Sequence, residues 1–335
     1  MPETPLDKET ARSRYAELVP KYKRLGENLR EAFKDFLRDA GIDVLEVICR
    51  IKDFDSFWDK VQRKNYEDPF QEVEDICGIR IICFYPSDLE KISQIIRTEC
   101  NVIVAEDKAG QLKPYEFGYR SFHFIVTLKD DWLNAPNYRG LKGLKAEVQV
   151  RTILMHAWAG IAHKLAYKKE EQVPEQFKRK LYQLSALFEN SDGQLDSLRN
   201  ERENYIENLV SKDSFDVNLP MDLDTLQALM DFYYPNRDRS LDDTSTLLDE
   251  IFIHNISIKR LVEDYERVKE ILPSAEADGF IDESKDARLA QAGIIRLTLD
   301  LTEDDYWKDR IKLFKSGSWN KAVLKWRAEL SKQNR

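Results

Sequence analysis

Two segments of this chain alternate with a period of two and must each present one face to a core. In Tyr119 to Leu128, Phe122, Phe124 and Val126 alternate with Tyr119, Ser121 and His123. In "AEVQVRT", Ala146 to Thr152, Val148 and Val150 alternate with Glu147, Gln149 and Arg151. Such alternation reads as half-buried strands. An antiparallel sheet with one solvated face commonly shows it, so two plain surface strands are one reading. The residue choice favours another. Lys, Thr and Glu decorate solvated faces, whereas Tyr, His, Gln and Arg beside one Glu suit a ligand surface.

Around these strands the pattern alternates helix and strand. Leu6 to Ala40 is helical, with Tyr15, Leu18, Tyr22, Leu25, Leu29 and Phe33 at three- and four-residue steps and Gly41 as the stop. Val44–Ile51, Asp75–Tyr85 and Val102–Val104 read as further strands, and 54–64, 86–97 and 152–169 as helices. The expected fold is α/β (α+β), a mixed sheet flanked by helices. From Pro174 the pattern is helical only, beginning with Gln176 to Leu209. We therefore expect a sheet domain over 1–190 and an all-helical region over 191–335.

A chain of 335 residues with 42% apolar and 34% charged residues is long enough for two cores. No apolar run approaches the ~20 residues of a membrane span. Four cysteines (Cys49, Cys77, Cys83, Cys100) without CxxC spacing point to reduced thiols and a cytoplasmic setting. Charge is uneven. Ser191–Asn255 holds 15 acidic and 5 basic residues, and Tyr306–Arg335 holds 9 basic and 2 acidic. The acidic excess lies outside the first 190 residues, which leaves them open to a polyanionic ligand.

Two more stretches carry charge in places that demand a reason. In "EDICGIRIICFY", Arg80 sits inside an apolar run and needs a partner. Asp75 precedes it, and Gly78 leaves room for close approach. Strand parity puts Asp75 and Arg80 on opposite faces, so one site can use both only if Asp75 lies at the strand's lip or a bulge intervenes. In "RIKDFDSFWDKVQRK", Arg50, Lys52, Lys60, Arg63 and Lys64 gather five cations beside the Ser56 hydroxyl. A structural ion pair for Arg80 and a solvated helix face for the lysines are the plainer readings. Zinc is disfavoured: His156 and His163 lie two helical turns apart, ~10 Å. No GxxxxGK[ST] phosphate loop is present.

Taken in order, these residues resemble the synthetase domain of the RelA/SpoT family of nucleotide pyrophosphokinases. The resemblance rests on Arg50-x-Lys52 with Ser56 and Lys60, Asp75-x-x-Gly78-x-Arg80 and Gly118-Tyr119-Arg120-Ser121-x-His123. Glu147-Val-Gln149-Val-Arg151-Thr152 and the helix Met155-His156-x-Trp158-Ala159 with His163 and Tyr167-Lys168 complete it, from about residue 10 to 190. It implies a nucleotidyltransferase-like fold that moves pyrophosphate from ATP to the 3′-hydroxyl of GTP or GDP, giving guanosine penta- or tetraphosphate and AMP. By the same resemblance, Arg50, Lys52, Ser56, Lys60 and Arg80 hold ATP. Asp75 and Glu147 hold Mg²⁺, and Glu147 is the base. Tyr119 stacks on the acceptor base, and His123, Gln149, Arg151 and His163 support the acceptor nucleotide. No HD dipeptide accompanies them, so the hydrolase domain of long members is not expected.

The chain departs from the family on the acceptor side. Small synthetases read Lys-Pro-Asn-Gly-Tyr where this chain has Lys113-Pro114-Tyr115-Glu116-Phe117-Gly118-Tyr119, and Ala162 stands where many carry Glu. Some members are toxins that pyrophosphorylate the 3′ end of tRNA instead of a free nucleotide, and the helical C-terminal region is expected to regulate, to bind a partner such as an antitoxin, or to set the oligomer. The C-terminal segment fits RNA in one respect: Lys308, Arg310, Lys312, Lys315, Lys321, Lys325 and Arg327 interleave with Trp307, Phe314, Trp319 and Trp326. A core stripe of Trp319, Val323, Trp326 and Leu330, with the lysines facing the acidic 191–255 stretch, is the competing reading. A non-catalytic nucleotide- or RNA-binding regulator is a third class, against which Asp75 and Glu147 stand.

Overall fold

The computed structural model describes residues 7–64, 66–107, 121–165, 174–211, 214–280, 288–313 and 317–333. The chain divides into two compact units, one up to Arg199 and one from Asn200 onward.

Helix α1 (Lys8–Asp39) starts where the Asp7 carboxylate accepts from the amides of Glu9 and Thr10. It ends where Gly41 takes φ +66°. There the Ile42 amide donates to Leu37 O and the Gly41 amide to Arg38 O, at 2.9 and 3.0 Å. This cross-bonded ending needs a left-handed residue, which glycine supplies without strain. The predicted stripe of Tyr15, Tyr22, Leu25, Leu29 and Phe33 is buried.

The helix lies on a five-stranded sheet in the order β1-β2-β5-β4-β3. The strands are β1 (Val44–Ile51), β2 (Cys77–Cys83), β3 (Cys100–Asp107), β4 (Phe122–Leu128) and β5 (Ala146–Thr152). Only the β2–β5 pair is parallel, so the sheet is mixed, as expected. Helices α2 (Phe54–Lys64), α3 (Pro69–Glu72) and α4 (Ser87–Glu99) fill the connections. Helix α5 (Ile153–Leu165) follows β5 directly. One sheet face joins α1 and α4 in a core that includes Cys77, Ile79, Ile81, Phe124, Val126, Val148 and Val150. The opposite face carries the polar alternates.

Gly26 sets how closely α1 approaches β1 and β2. A Cβ there would overlap Cys49 Sγ and stand 3.1 Å from Cys77 Sγ. Gly26→Ala gains helix propensity worth up to about 1 kcal/mol. The overpacking costs about 1–3 kcal/mol and wins. We expect a lower unfolding midpoint for Gly26→Ala, with much of the loss restored by adding Cys49→Ala. An unchanged midpoint would show that α1 shifts freely.

Helix α6 (Glu175–Leu209) runs on past residue 190 while still tied to the sheet unit. Asp192 accepts from Thr152 Oγ1 at 2.6 Å, Asp196 from Ser87 Oγ at 2.6 Å, and Arg199 meets the buried Asp88 at 2.7 Å. These contacts explain why the boundary falls at Arg199 rather than near residue 190.

The second unit is largely but not wholly helical. Strands β6 (Val210–Ser211) and β7 (Ser214–Phe215) form a small hairpin, which corrects the all-helical expectation. Helices α7 (Leu223–Tyr233), α8 (Leu241–Ile253), α9 (Ile258–Val268), α10 (Leu272–Gly279), α11 (Gln291–Thr302), α12 (Asp304–Leu313) and α13 (Ser318–Gln333) follow. Pro273 sits in the first turn of α10, just past the break after α9, where its missing N–H costs nothing. Val323 and Leu330 are buried in a cluster that also takes in Trp307, Trp319 and Trp326. Three of the four aromatics of the RNA-binding reading are thus spent on a core, and Phe314 lies outside the described residues. The cations do not chiefly face the 191–255 stretch either. Lys325 pairs with Asp278 at 2.7 Å, Arg327 with Asp304, and Arg310 with Asp300 at 3.0 Å, although Arg310 also meets Glu250 of that stretch at 3.8 Å. Among the described residues no helix is long and apolar enough to cross a membrane.

Candidate active site

Register, not sequence, assembles the polar face. Arg50 lies opposite Gly78, and Gly78 opposite Glu147. One row over, Ile48, Arg80, Gln149, His123 and Glu106 line up across all five strands. At the β1 end of these rows is a cavity of about 240 Å³ lined by Arg50, Lys52, Ser56, Asp75, Gly78, Arg80, Glu147 and Gln149, with Ile48 and Ile79. Gly78 forms the floor between a guanidinium and a carboxylate. Any side chain on that row would project into the space.

The parity difficulty resolves at the strand's lip. β2 begins at Cys77, so Asp75 precedes the pleat and turns to the same cavity as Arg80. Lys52 Nζ lies 3.0 Å from Asp75 Oδ2, and Lys60 Nζ lies 3.0 Å from Oδ1. Asp75 Oδ1 is buried and makes no hydrogen bond of good geometry; Lys60 meets it as a charge. The Asp53 carboxylate caps α2, accepting from the Ser56 amide and from Ser56 Oγ, both at 2.8 Å. That cap fixes where Ser56 and Lys60 stand. Arg63 and Lys64, counted with them in the sequence, are exposed and outside the cavity lining.

Beside the cavity, Glu147 Oε1 lies 2.8 Å from His123 Nδ1, and His123 Nε2 lies 2.8 Å from Ser121 Oγ. Arg151 donates to Gln149 Oε1 at 2.7 Å. The guanidiniums crowd one another. Burial lowers the pKa of Arg80 and Arg50 lowers it further, while Glu147 opposes both. Burial, then Arg80, brings Arg151 down to about 9. His156 on α5 is lowered by burial and by the same two arginines. Cations packed this closely are short of negative charge, and a polyanion would supply it.

Among the described residues no three His, Cys, Asp or Glu side chains converge as a metal cage. Mg²⁺ does not need one. It takes one or two carboxylates and completes its shell with water and substrate phosphates. Two carboxylates on one cavity, one with a buried oxygen outside any hydrogen bond, fit that mode.

Comparison with known proteins gives the chain its family. Residues 49–172 match the family described as the region found in RelA / SpoT proteins. GTP pyrophosphokinase YwaC of Bacillus subtilis (strain 168) is 31% identical over 156 residues, which cover 45% of this chain and 72% of that protein. The chain belongs to the RelA/SpoT family. GTP pyrophosphokinase YjbM of the same organism is 30% identical over 158 residues, covering 46% of this chain and 72% of the relative. The crystal structure of small alarmone synthetase 1 from Bacillus subtilis aligns with 57% of this chain and 98% of its own, at 26% identity and a TM-score of 0.49.

The RelA/SpoT region spans every candidate residue from Arg50 to His163. Ten of the twelve have described side chains. Tyr119 and the side chain of His163 lie outside the described residues. Of the ten, Arg50, Lys52, Ser56, Asp75, Arg80, Glu147 and Gln149 line the cavity, and Lys60 reaches it through Asp75. His123 and Arg151 stand behind it, bonded to Glu147 and Gln149. Ser121, read in the sequence as a polar alternate and a member of the Gly118-to-His123 motif but given no role, is the residue whose part the sequence did not reveal.

Proposed function

We propose that the sheet unit is an ATP-dependent pyrophosphokinase whose acceptor is the 3′-hydroxyl of GTP or GDP. The observation that supports it best is the shared cavity of Asp75 and Glu147, rimmed by Arg50, Lys52 and Arg80. Phosphoryl-type transfer depends chiefly on positioning and on neutralising charge, and this cavity offers both. The names of the two curated relatives agree with the reading.

In the reaction the acceptor 3′-oxygen forms a bond to the β-phosphorus of ATP. The bond from that phosphorus to the α,β-bridging oxygen breaks, and AMP leaves with the electron pair. Arg50, Lys52 and Lys60 bind the donor phosphates, with the Ser56 hydroxyl turning from Asp53 toward them. Arg80, between the two sides, balances charge on the moving group. Glu147 accepts the 3′-hydroxyl proton. Mg²⁺, held by Asp75 and Glu147 when bound, neutralises phosphate charge and sharpens the nucleophile. Gln149 and Arg151 border the acceptor, and Tyr119 stacks on its base by family resemblance.

The test is a product assay. ATP labelled in its β- or γ-phosphate is given GTP, GDP or deacylated tRNA, and the products are separated by thin-layer chromatography. We expect label in guanosine penta- or tetraphosphate. Label in tRNA alone would overturn the acceptor assignment, and no transfer to any acceptor would overturn the function. On the donor side, Lys60→Ala should raise the KM for ATP about tenfold or more, the scale of one charge-assisted contact. An unchanged KM would remove Lys60 from the donor site.

A further inference from the structure

We infer that Ser121 and His123 are positioning residues for Glu147, a hydrogen-bonded chain that aims its carboxylate. The inference rests on the reading of Glu147 as the base.

An imidazole has two polar atoms. In His123 both are engaged within the protein, Nδ1 with Glu147 and Nε2 with Ser121, each at 2.8 Å. The pairing is not a by-product of strand register. Directly across from His123 is Gln149, and Glu147 lies on the diagonal, opposite Ile125. Gln149 Oε1 is instead occupied by Arg151 at 2.7 Å. The side-chain amide thus turns along its own strand while the ring reaches the carboxylate.

Donor and acceptor roles follow. An ionised carboxylate only accepts, so Nδ1 carries the proton that bonds Glu147. In the neutral ring Nε2 then accepts, and the Ser121 hydroxyl donates. Ser121 is 1% exposed, so no bulk water replaces it if it is lost. Glu147 needs such a hold. It shares its cavity with Arg50, Lys52, Arg80 and Asp75, and its charge is felt at Arg80. Without His123 the carboxylate is drawn to the guanidinium, away from the place where an acceptor hydroxyl must meet it.

The experiment is steady-state kinetics of the full chain with the acceptor varied, alongside calorimetric GTP binding and a thermal melt for each variant. His123→Leu deletes both bonds. His123→Asn keeps an N–H where Nδ1 was. Ser121→Ala frees only the far end. We expect kcat to fall about 100-fold for His123→Leu and about tenfold for Ser121→Ala, the scale for groups that orient a site ligand. His123→Asn should recover most of the loss, and acceptor KM and calorimetric affinity should stay within about threefold of wild type in all three. A tenfold rise in acceptor KM with kcat preserved would overturn the inference, as would folded Leu and Asn variants that are equally impaired. In either case the wild type would still turn over, and the proposed function would stand. A wild-type chain that transfers nothing removes both.

Discussion

Glu147→Gln is expected to abolish pyrophosphate transfer while leaving ATP binding nearly intact. The substitution keeps shape and a hydrogen-bond acceptor for His123 Nδ1, so the local packing of β4 and β5 has no reason to change. What disappears is the lone pair able to take a proton and the negative charge. Loss of a positioned general base costs about 10²- to 10⁴-fold. Loss of a carboxylate donor for the metal adds to that cost. The donor cations Arg50, Lys52 and Lys60 stand on β1, the turn after it and α2, elements that Glu147 does not build. Turnover below about 10⁻³ of wild type, with ATP affinity by calorimetry within a few-fold, is the expected result. Full activity in this variant would refute the role, however well the rest of the site were formed.

How much of this was legible in the sequence depends on what each residue's neighbours had to supply. β1 and α2 fall where local signals placed them, at Val44–Ile51 and Phe54–Lys64, because amphipathic alternation and the Asp53 cap act within a few residues. β3 was longer than the Val102–Val104 predicted for it. It is an edge strand, Cys100–Asp107, mostly exposed and broken by a bulge between Val102 and Val104, so little periodicity survives to be read. Helix α3 is a single turn held by Asp68 and Pro69, below the length at which a pattern is visible. The identities of the site residues were readable as two polar faces and a run of cations. Their mutual geometry was not. That Arg80 aligns with Gln149 and His123, and that His123 reaches diagonally to Glu147, follows from strand register, which no single strand encodes. The partners of the C-terminal cations are likewise set by how α10 to α13 pack, and the charge balance of two distant stretches does not name them.

Asp75→Asn separates the two parts of the donor site. Asp75 lies 3.0 Å from each of two ammonium groups, Lys52 and Lys60. As a carboxylate it offsets both, and it is also an oxygen donor for Mg²⁺. As an amide it does neither. Removing the negative charge leaves two lysines seeking an anion, so ATP without metal should bind as tightly as to wild type, or more tightly. Turnover should nonetheless fall about 10²- to 10³-fold, the scale for removing one electrostatic group from such a site. The two effects have opposite signs, which a general loss of fold would not produce. Calorimetry of ATP in the presence of a chelator reads the first, and product formation with Mg²⁺ reads the second. If chelated ATP binds Asp75→Asn much more weakly than wild type, then Asp75 serves only to hold the lysines in place, and its assignment to the metal falls. If turnover persists undiminished, the pairing of Asp75 with Glu147 across one cavity has no catalytic meaning.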